Sequence, residues 1–220
     1  MPHNLFIDLD GTLIDPKVGI TGSIRFALRE LGIDEPSADE LEWCIGPPLS
    51  ESFPVLLGPD EDVGRAISLY RDRFSQTGMY EARPYAGVHD MLANLKSAGV
   101  RCFLATSKPQ VFAERIIEHF DFDPLIDGVF GSELDGRRVD KTELIRFVLE
   151  RTAAAPGSSR MMGDRRHDIA GARNNGIGSI GVLWGYGTSE ELCKAGADVL
   201  VHRPDEVPEV LTRFAPGEFS

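Results

Sequence analysis

The chain is poor in several features that mark particular classes of protein. Its 220 residues contain three cysteines, Cys44, Cys102 and Cys193, and no Cys-x-x-Cys pair. An odd number of widely spaced cysteines indicates neither a disulfide framework nor a cysteine metal site. No apolar run approaches the roughly 18–20 residues of a membrane helix, and the first residues lack a basic-then-apolar signal pattern. We therefore expect a cytoplasmic protein with no membrane partner.

Positive charge is also scarce. The chain has 23 basic and 35 acidic residues, which gives a formal net charge of −12. Nucleic-acid-binding proteins present a basic face to the phosphate backbone, and anionic membranes attract basic surfaces. The charge balance therefore disfavours both partners. The remaining composition, 42% apolar and 26% charged, is that of an ordinary soluble globular protein.

One short stretch near the beginning of the chain carries most of the chemical signal. The apolar run Leu5–Ile7 predicts a buried strand, and Asp8 and Asp10 follow it directly. Side chains at positions i and i+2 of an extended chain point the same way, so both carboxylates should face one pocket. Two such carboxylates repel each other, and a site that keeps both holds a divalent cation or leaves one protonated. The alternative is a pair of solvated turn aspartates, since Asp is common in turns.

The apolar pattern divides the chain into two regions. Four stretches of helical period occupy residues 16–83, the second of them a short one at Leu41–Ile45. From Pro84 onward, short apolar runs alternate with helical stretches, which predicts a parallel sheet wound on both faces. We therefore predict an α/β fold, with a Rossmann-like parallel sheet core of residues 1–15 and 84–220 and an inserted helical region of residues 16–83. The break at Ile45–Pro48 predicts an exposed, stiff connection, which is either a loop that projects into a ligand site or an ordinary turn between helices.

The segment Gly176-Ile177-Gly178-Ser179-Ile180-Gly181 matches the pattern GxGxxG. A dinucleotide-binding fingerprint of this kind follows a strand and opens a helix. Here the segment follows a predicted helix and precedes a predicted strand. The sequence context therefore argues against a nucleotide cofactor.

Polar side chains follow three of the predicted strands, and one further polar residue opens a helix. Ligands in open parallel sheets bind at the carboxyl ends of the strands, so these residues should share one site. Oxygen ligands without a His/Cys cluster favour Mg²⁺ over zinc. Lys108 competes with Lys141 as the cation of the site; the alternatives for Lys108 are a cap on the sheet edge and a solvated side chain. The candidate site residues are Asp8, Asp10, Thr106, Ser107, Lys141, Asp164 and Asp168.

The order of these residues resembles the four motifs of the haloacid-dehalogenase-like hydrolases. Those motifs correspond to Asp8-Leu9-Asp10-Gly11-Thr12, Thr106, Lys141 and Gly163–Asp168, and the resemblance spans residues 4 to about 184. The helical insert of residues 16–83 resembles the helical cap of the phosphoglycolate-phosphatase-like branch, which implies that residues 1–15 and 84–220 are the catalytic core. The segment Trp184-Gly185-Tyr186-Gly187 also resembles that branch. The resemblance implies a Mg²⁺-dependent phosphatase that works through an aspartyl phosphate.

The resemblance also implies a role for each acidic residue of the site. Asp8 would be the nucleophile, and Asp10 would act first as general acid and then as general base. Mg²⁺ would be held by Asp8, by the backbone carbonyl of Asp10 and by Asp164. Asp168 would orient Lys141 or a metal-bound water.

The remaining site residues would bind the phosphoryl group of a small phosphorylated metabolite. They are Gly11, Thr106, the backbone at Ser107, and Lys141. The branch suggests 2-phosphoglycolate or a nucleoside monophosphate, in that order, and the sequence leaves monomer and homodimer open. The connection at Ile45–Pro48 would select the leaving group of the substrate, and the alternative is an ordinary turn between helices. A phosphomutase and a non-catalytic Mg²⁺-binding interaction module remain as alternatives. A dehalogenase is disfavoured because that branch lacks the second aspartate of the first motif, which Asp10 supplies here.

Overall fold

Strands and helices alternate over most of the chain. A computed structural model describes residues 4–58 and 62–213. The strands are β1 (Asn4–Ile7), β2 (Ile14–Asp15), β3 (Arg83–Pro84), β4 (Arg101–Pro109), β5 (Gly128–Ser132), β6 (Ser159–Gly163), β7 (Gly178–Val182) and β8 (Val199–Val201). The α-helices are α1 (Lys17–Glu30), α2 (Leu49–Leu57), α3 (Val63–Gln76), α4 (Val88–Ser97), α5 (Gln110–His119), α6 (Lys141–Thr152), α7 (Arg166–Asn174), α8 (Ser189–Ala195) and α9 (Val207–Arg213). Short 3₁₀ helices occur at Glu42–Cys44, Gly78–Tyr80, Asp123–Leu125, Pro156–Ser158 and Pro204–Glu206.

Six strands form one sheet in the order β5-β4-β1-β6-β7-β8. All five neighbouring pairs are parallel. The register places Ile7 of β1 beside Leu104 of β4 on one side and Met162 of β6 on the other. A central parallel strand is buried on both faces, which explains why β1 reads as a continuous apolar run. The predicted α/β fold with a parallel sheet is confirmed, and β2 and β3 pair in a separate two-stranded sheet.

The central sheet packs against α6 through an apolar cluster. Phe6 and Phe103 meet edge to face with ring centroids 6.1 Å apart, and Leu144 and Ile145 of α6 are fully buried in the same cluster. Burying each such side chain contributes about 1.5–3 kcal/mol to the free energy of folding. Because Lys141 is the first residue of α6, this packing fixes its position relative to the sheet.

The contacts divide the chain into two compact units. One unit takes in the chain up to Ile14 and from Pro84 onward, and the other is Asp15–Arg83. The second unit contains α1, α2 and α3, and its core includes Tyr70, which stacks on Phe74 with centroids 5.3 Å apart. The assignment of these units as catalytic core and cap remains a prediction.

Several local predictions need correction. The short second stretch at Leu41–Ile45 forms only the 3₁₀ helix Glu42–Cys44, because its apolar residues span a single turn. Ile45 is fully buried, so the predicted exposed connection begins with a core residue. The helix α8 was not predicted from the sequence at all.

Among residues 4–58 and 62–213, no helix is both long and apolar enough to cross a bilayer.

Candidate active site

The candidate site lies where three neighbouring strands end. Asp8 follows β1, Asp164 follows β6, and Thr106 lies near the end of β4, which flanks β1 on the other side. The hydrogen bonding between β1 and β6 continues one residue past β1, because the Asp8 N–H donates to the Met162 carbonyl at 2.9 Å. The strand-end placement predicted from the sequence is therefore the observed one. All three side chains are at least nine-tenths buried.

A buried lysine joins two of the carboxylates. Lys141 Nζ lies 2.7 Å from Asp8 Oδ1 and 2.7 Å from Asp168 Oδ1, and it donates to the Ala105 carbonyl at 2.7 Å. The ammonium therefore donates hydrogen bonds to Asp8 and to the Ala105 carbonyl and forms an ion pair with Asp168. Burial favours loss of the charge, but Asp168 and Asp8 outweigh it and raise the pKa of Lys141. The lysine is therefore a fixed cation between two carboxylates.

The local structure around Lys141 explains its orientation. Asp140 caps α6 by accepting the Glu143 N–H at 3.0 Å. Gly171 of α7 allows a close approach, since a Cβ there would lie 2.9 Å from the Lys141 Cβ. On the other side, Asp168 Oδ2 accepts the Arg165 N–H at 3.1 Å. The cap on α6 thus positions Lys141, and the hydrogen bond from the Arg165 N–H orients Asp168.

Asp164 is enclosed by backbone. Its Oδ2 accepts the Tyr186 N–H at 2.8 Å, and its Oδ1 lies 3.5 Å from the Thr12 hydroxyl. Gly11 has φ +80°, and a Cβ on it would lie 2.2 Å from Asp164 Oδ2. A Cβ at Gly185 would lie 2.5 Å from the Asp164 Cβ. Glycine at both positions therefore lets two loops close around this carboxylate.

Three of the buried carboxylates could hold a metal ion. Asp8, Asp164 and Asp168 each offer an oxygen within 4.8 Å of the others. Burial raises the pKa of Asp164 well above its usual value, and the charges of Asp168 and Asp8 add to this effect. Burial also raises the pKa of Asp168 to about 6, against the lowering influence of Lys141. One ammonium among three carboxylates leaves an excess of negative charge that a divalent cation would offset, and all-oxygen donors suit Mg²⁺.

Asp10 occupies a different position from this cluster. Its Oδ2 lies 2.8 Å from Lys108 Nζ, and both side chains are nearly buried, at 12% and 6% exposure. Burial raises the pKa of Asp10, while Lys108 acts in the opposite direction. The sequence left Lys108 open between a cap on the sheet edge and a solvated side chain. The structure excludes the solvated alternative and makes Lys108 the partner of Asp10, which sequence reasoning missed.

Thr106 and Ser107 lie in a distorted part of β4. The register with β5 shifts between Thr106 and Pro109, and the Thr106 hydroxyl accepts the Lys108 N–H at 3.2 Å. The Ser107 hydroxyl donates to the Val139 carbonyl at 2.9 Å, and the Ser107 carbonyl accepts from Ser132 at 2.7 Å. The Ser107 side chain is therefore committed to structure, and the role expected for the backbone at Ser107 stays a prediction.

Two further contacts were missed by the sequence reasoning. The Trp184 indole N–H donates to the Thr12 carbonyl at 2.9 Å and fastens the loop after β7 to the loop after β1. The Glu191 carboxylate of α8 accepts hydrogen bonds from Arg165 Nε at 3.1 Å and from the Arg166 N–H at 2.9 Å. The Trp-Gly-Tyr-Gly segment was a visible signal for the first contact. The second had none, because α8 was not predicted.

Several known proteins are similar to this chain along most of its length. The sequence model of the family described as haloacid dehalogenase-like hydrolase matches residues 5–182, a range that includes every predicted site residue. A 5′-nucleotidase from Pseudomonas aeruginosa is 48% identical over 190 residues, which cover 86% of each chain. Tyrosine-protein kinase PtkA from Mycobacterium tuberculosis is 35% identical over 212 residues, covering 96% of this chain and 72% of that protein. The crystal structure of a predicted phosphatase from Clostridium acetobutylicum, 37% identical, superposes with a TM-score of 0.93 and covers 97% of this chain and 99% of that one.

Proposed function

The chain belongs to the haloacid dehalogenase-like hydrolases and is a phosphatase, and we propose that it hydrolyses small phosphate monoesters, nucleoside 5′-monophosphates first among them. The observation that carries this proposal is the buried set of Asp8, Lys141, Asp168 and Asp164 at the end of β1 and β6. It combines a carboxylate nucleophile, a fixed cation and a group of oxygens suited to a divalent ion. Phosphoryl transfer depends mainly on such positioning and charge stabilisation.

Mg²⁺ fits the excess of negative charge in this set. Asp8 and Asp164, with the backbone carbonyl of Asp10, would hold the ion, and Asp168 lies within reach of the same cluster. When bound, Mg²⁺ would offset charge on the phosphoryl oxygens and on the carboxylates. The remaining chemistry belongs to the side chains of the chain itself.

In the first step the Asp8 carboxylate attacks phosphorus, and the bond from phosphorus to the leaving oxygen breaks. Asp10 gives its proton to that oxygen, which leaves as an alcohol. The raised pKa of Asp10, caused by burial, favours the protonated form that this role needs. The product of the step is an aspartyl phosphate on Asp8.

In the second step a water molecule attacks the same phosphorus and transfers a proton to Asp10. The bond to Asp8 breaks, inorganic phosphate leaves, and both carboxyl groups return to their starting forms. Lys141 faces the transferring group throughout and offsets its charge, while Thr106 and the backbone at Gly11 and Ser107 bind its oxygens. Asp168 keeps Lys141 oriented.

The relatives support a revised order of substrates. The 5′-nucleotidase is 48% identical, whereas a phosphoglycolate phosphatase from Vibrio parahaemolyticus is 26% identical. We therefore place nucleoside 5′-monophosphates before 2-phosphoglycolate. Phosphate release from a panel of both classes tests this order, each measured with Mg²⁺ and with EDTA. No release from any monoester in the presence of Mg²⁺ would refute the proposed function.

The similarity to tyrosine-protein kinase PtkA favours a second candidate function, which is transfer of the phosphoryl group to the hydroxyl of an acceptor. An aspartyl phosphate can pass its phosphoryl group to a hydroxyl instead of water, as a kinase or a phosphomutase requires. Adding a tyrosine peptide or a sugar phosphate acceptor during turnover separates these outcomes. Hydrolysis predicts that all phosphorus appears as inorganic phosphate, whereas transfer predicts a phosphorylated acceptor.

A further inference from the structure

A carboxylate on α8 contacts the segment that carries Asp164 and Asp168. Glu191 lies in the first turn of α8, and its side chain is 20% exposed. Its Oε1 accepts both the Arg165 Nε–H at 3.1 Å and the Arg166 N–H at 2.9 Å. These two arginines follow Asp164 directly, and Arg166 is the first residue of α7. Glu191 therefore acts on the site from outside the group of carboxylates that could hold a metal ion.

Helix α7 obtains one of its first hydrogen-bond acceptors from α8. The first N–H groups of a helix have no partner within the helix, and a side-chain oxygen at the N-cap position commonly accepts one of them. The N-cap residue of α7 is Arg165, and a guanidinium group has only donors. Glu191 supplies the acceptor for the Arg166 N–H instead, while Asp168 Oδ2 accepts the Arg165 N–H. The start of α7 thus depends on a side chain from another helix.

The charge of Glu191 strengthens this contact. Burial favours the neutral form of Glu191, but the hydrogen bonds from the Arg166 N–H and from Arg165 outweigh it and lower the pKa of Glu191. An anion near a helix N-terminus interacts favourably with the helix dipole, and hydrogen bonds to a charged acceptor are stronger than neutral ones. The neighbouring pair of Glu190 and Lys194 differs, because both side chains are about three-quarters exposed and such pairs contribute little.

A series of short contacts leads from Glu191 to the candidate nucleophile. The Arg165 N–H orients Asp168, Asp168 Oδ1 lies 2.7 Å from Lys141 Nζ, and the same Nζ lies 2.7 Å from Asp8 Oδ1. Asp168, Lys141 and Asp8 are at least nine-tenths buried. A shift at the start of α7 would therefore displace Asp168 from Lys141, and the ammonium from its place beside Asp8.

The loop that leads into α8 holds the other end of the same segment. The Tyr186 N–H donates to Asp164 Oδ2 at 2.8 Å. A Cβ at Gly187 would lie 1.8 Å from the Asp164 carbonyl oxygen, so the two backbones approach as closely as glycine allows. The stretch from Tyr186 to Glu191 thus contacts Asp164 at one end and the start of α7 at the other.

We propose that Glu191 is a positioning residue of the phosphatase reaction, which fixes the start of α7 so that Asp164 and Asp168 keep the geometry that Mg²⁺ and Lys141 require. The proposal rests on the proposed function. Loss of a group that orients the residues of a metal site typically costs about 10–100-fold in metal affinity or activity. Lys141 offsets charge that develops on the transferring group, so its displacement should lower kcat more than it raises KM.

Two conservative variants separate the reach of Glu191 from its charge. Glu191→Gln keeps the length and an oxygen that can accept both hydrogen bonds, but it removes the charge. Glu191→Asp keeps the charge, but its carboxylate is one methylene too short to reach both donors. Glu190→Gln and Glu190→Asp are the matched controls, because Glu190 is the preceding residue of α8 and is exposed. A positioning role predicts that Glu191→Asp is impaired and that Glu191→Gln is not.

The measurements include readouts that do not depend on turnover. Calorimetry gives the Mg²⁺ affinity without substrate, ¹H–¹⁵N spectra report on the amides of Arg165, Arg166 and Asp168, and melting temperatures verify the fold. Phosphate release at saturating Mg²⁺ gives kcat and KM. In Glu191→Asp we expect shifted amides, with Mg²⁺ affinity and kcat each lower by about tenfold and KM within about threefold of wild type. Glu191→Gln and both Glu190 variants should keep Mg²⁺ affinity and kcat within about threefold of wild type.

Three results would overturn the role of Glu191. They are a wild-type Mg²⁺ affinity and kcat in Glu191→Asp, equal losses in Glu191→Asp and Glu191→Gln, and an effect confined to the melting temperature. Failure of the proposed function is recognised separately, because wild-type protein would then release no phosphate from any monoester. The calorimetric and NMR comparisons would still test whether Glu191 positions the Asp164–Asp168 segment.

Discussion

Lys108 Nζ lies 2.8 Å from Asp10 Oδ2, and the two side chains form an ion pair that is nearly closed to solvent. The pair places a cation beside the carboxyl group that must hold and release a proton in the proposed reaction. An opposite charge at this distance favours the ionised form of a carboxyl group, whereas burial favours the neutral form. The proton affinity of Asp10 therefore depends on Lys108.

Replacing Lys108 by Met should raise the pKa of Asp10 further. The protonated general acid would then persist to higher pH, and the basic limb of the kcat/KM profile should move up by about one unit. Lys194→Met removes an exposed lysine of α8 and is the control. A basic limb that stays in place in Lys108→Met would show that Lys108 does not set the protonation of Asp10.

Asp8→Asn should abolish turnover while the fold persists. The substitution removes the nucleophilic charge but keeps an oxygen that can accept from Lys141. Loss of a nucleophile costs about four or more orders of magnitude in kcat. Circular dichroism and the melting temperature verify folding in the same samples. Activity within about tenfold of wild type would contradict the assignment of Asp8.

Asp10→Asn should slow turnover by about 10²–10⁴-fold, the usual contribution of general acid–base catalysis. Where formation of the aspartyl phosphate limits the rate, kcat/KM should fall less for an aryl phosphate than for an alkyl phosphate, because the aryl leaving group needs no proton. The comparison requires kcat/KM for both substrates in wild type and variant. Equal losses would indicate that Asp10 serves only to position the metal.

Mg²⁺ should stabilise the protein more strongly as pH rises. Because the folded-state pKa of Asp164 is raised, the metal-free folded protein keeps a proton that the unfolded chain releases near pH 4. The folded state then binds more protons than the unfolded state, so this group's contribution to stability falls as pH rises toward the folded pKa. Mg²⁺ competes with that proton, and its affinity should therefore increase with pH.

Melting temperatures between pH 5.5 and 8, with and without Mg²⁺, measure this linkage. Asp164→Asn should remove most of the increase caused by Mg²⁺, whereas Asp72→Asn, at an exposed aspartate of α3, should preserve it. If Mg²⁺ raised the melting temperature by the same amount at every pH, then Mg²⁺ and the Asp164 proton would not compete.

Gly11→Ala should lower kcat/KM by more than the backbone strain at this position explains. Gly11 and Gly99 have φ of +80° and +79°, so alanine at either position costs roughly 1–2 kcal/mol in backbone strain. Only at Gly11 would the new Cβ meet Asp164, at 2.2 Å from Oδ2, whereas nothing lies within 4 Å at Gly99. A displacement of about 1 Å in a reacting group can cost 10²-fold in rate. We expect such a loss of kcat/KM in Gly11→Ala and unchanged kcat/KM in Gly99→Ala; similar activities in the two variants would contradict this.

The sequence by itself determined the class of fold and the edge of the sheet that carries the carboxylates. A strand such as Leu5–Ile7 is recognisable because burial on both faces requires a continuous apolar run. Its end is recognisable because polar residues and Gly11 follow it, and parallel topology brings such ends to one edge. Helix α8 escaped prediction because its seven residues bury only Leu192, which leaves no apolar period to detect.

Only the tertiary structure decided which side chains meet within that edge. Lys141 joins Asp8 across 133 residues of sequence, and Lys108 rather than solvent faces Asp10. The enclosure of Asp164 likewise depends on loops that follow β1 and β7. Periodicity records which face of an element is buried, which is a local property. Pairings between loops depend instead on how the packed elements orient side chains that are distant in the sequence, and no local pattern encodes them.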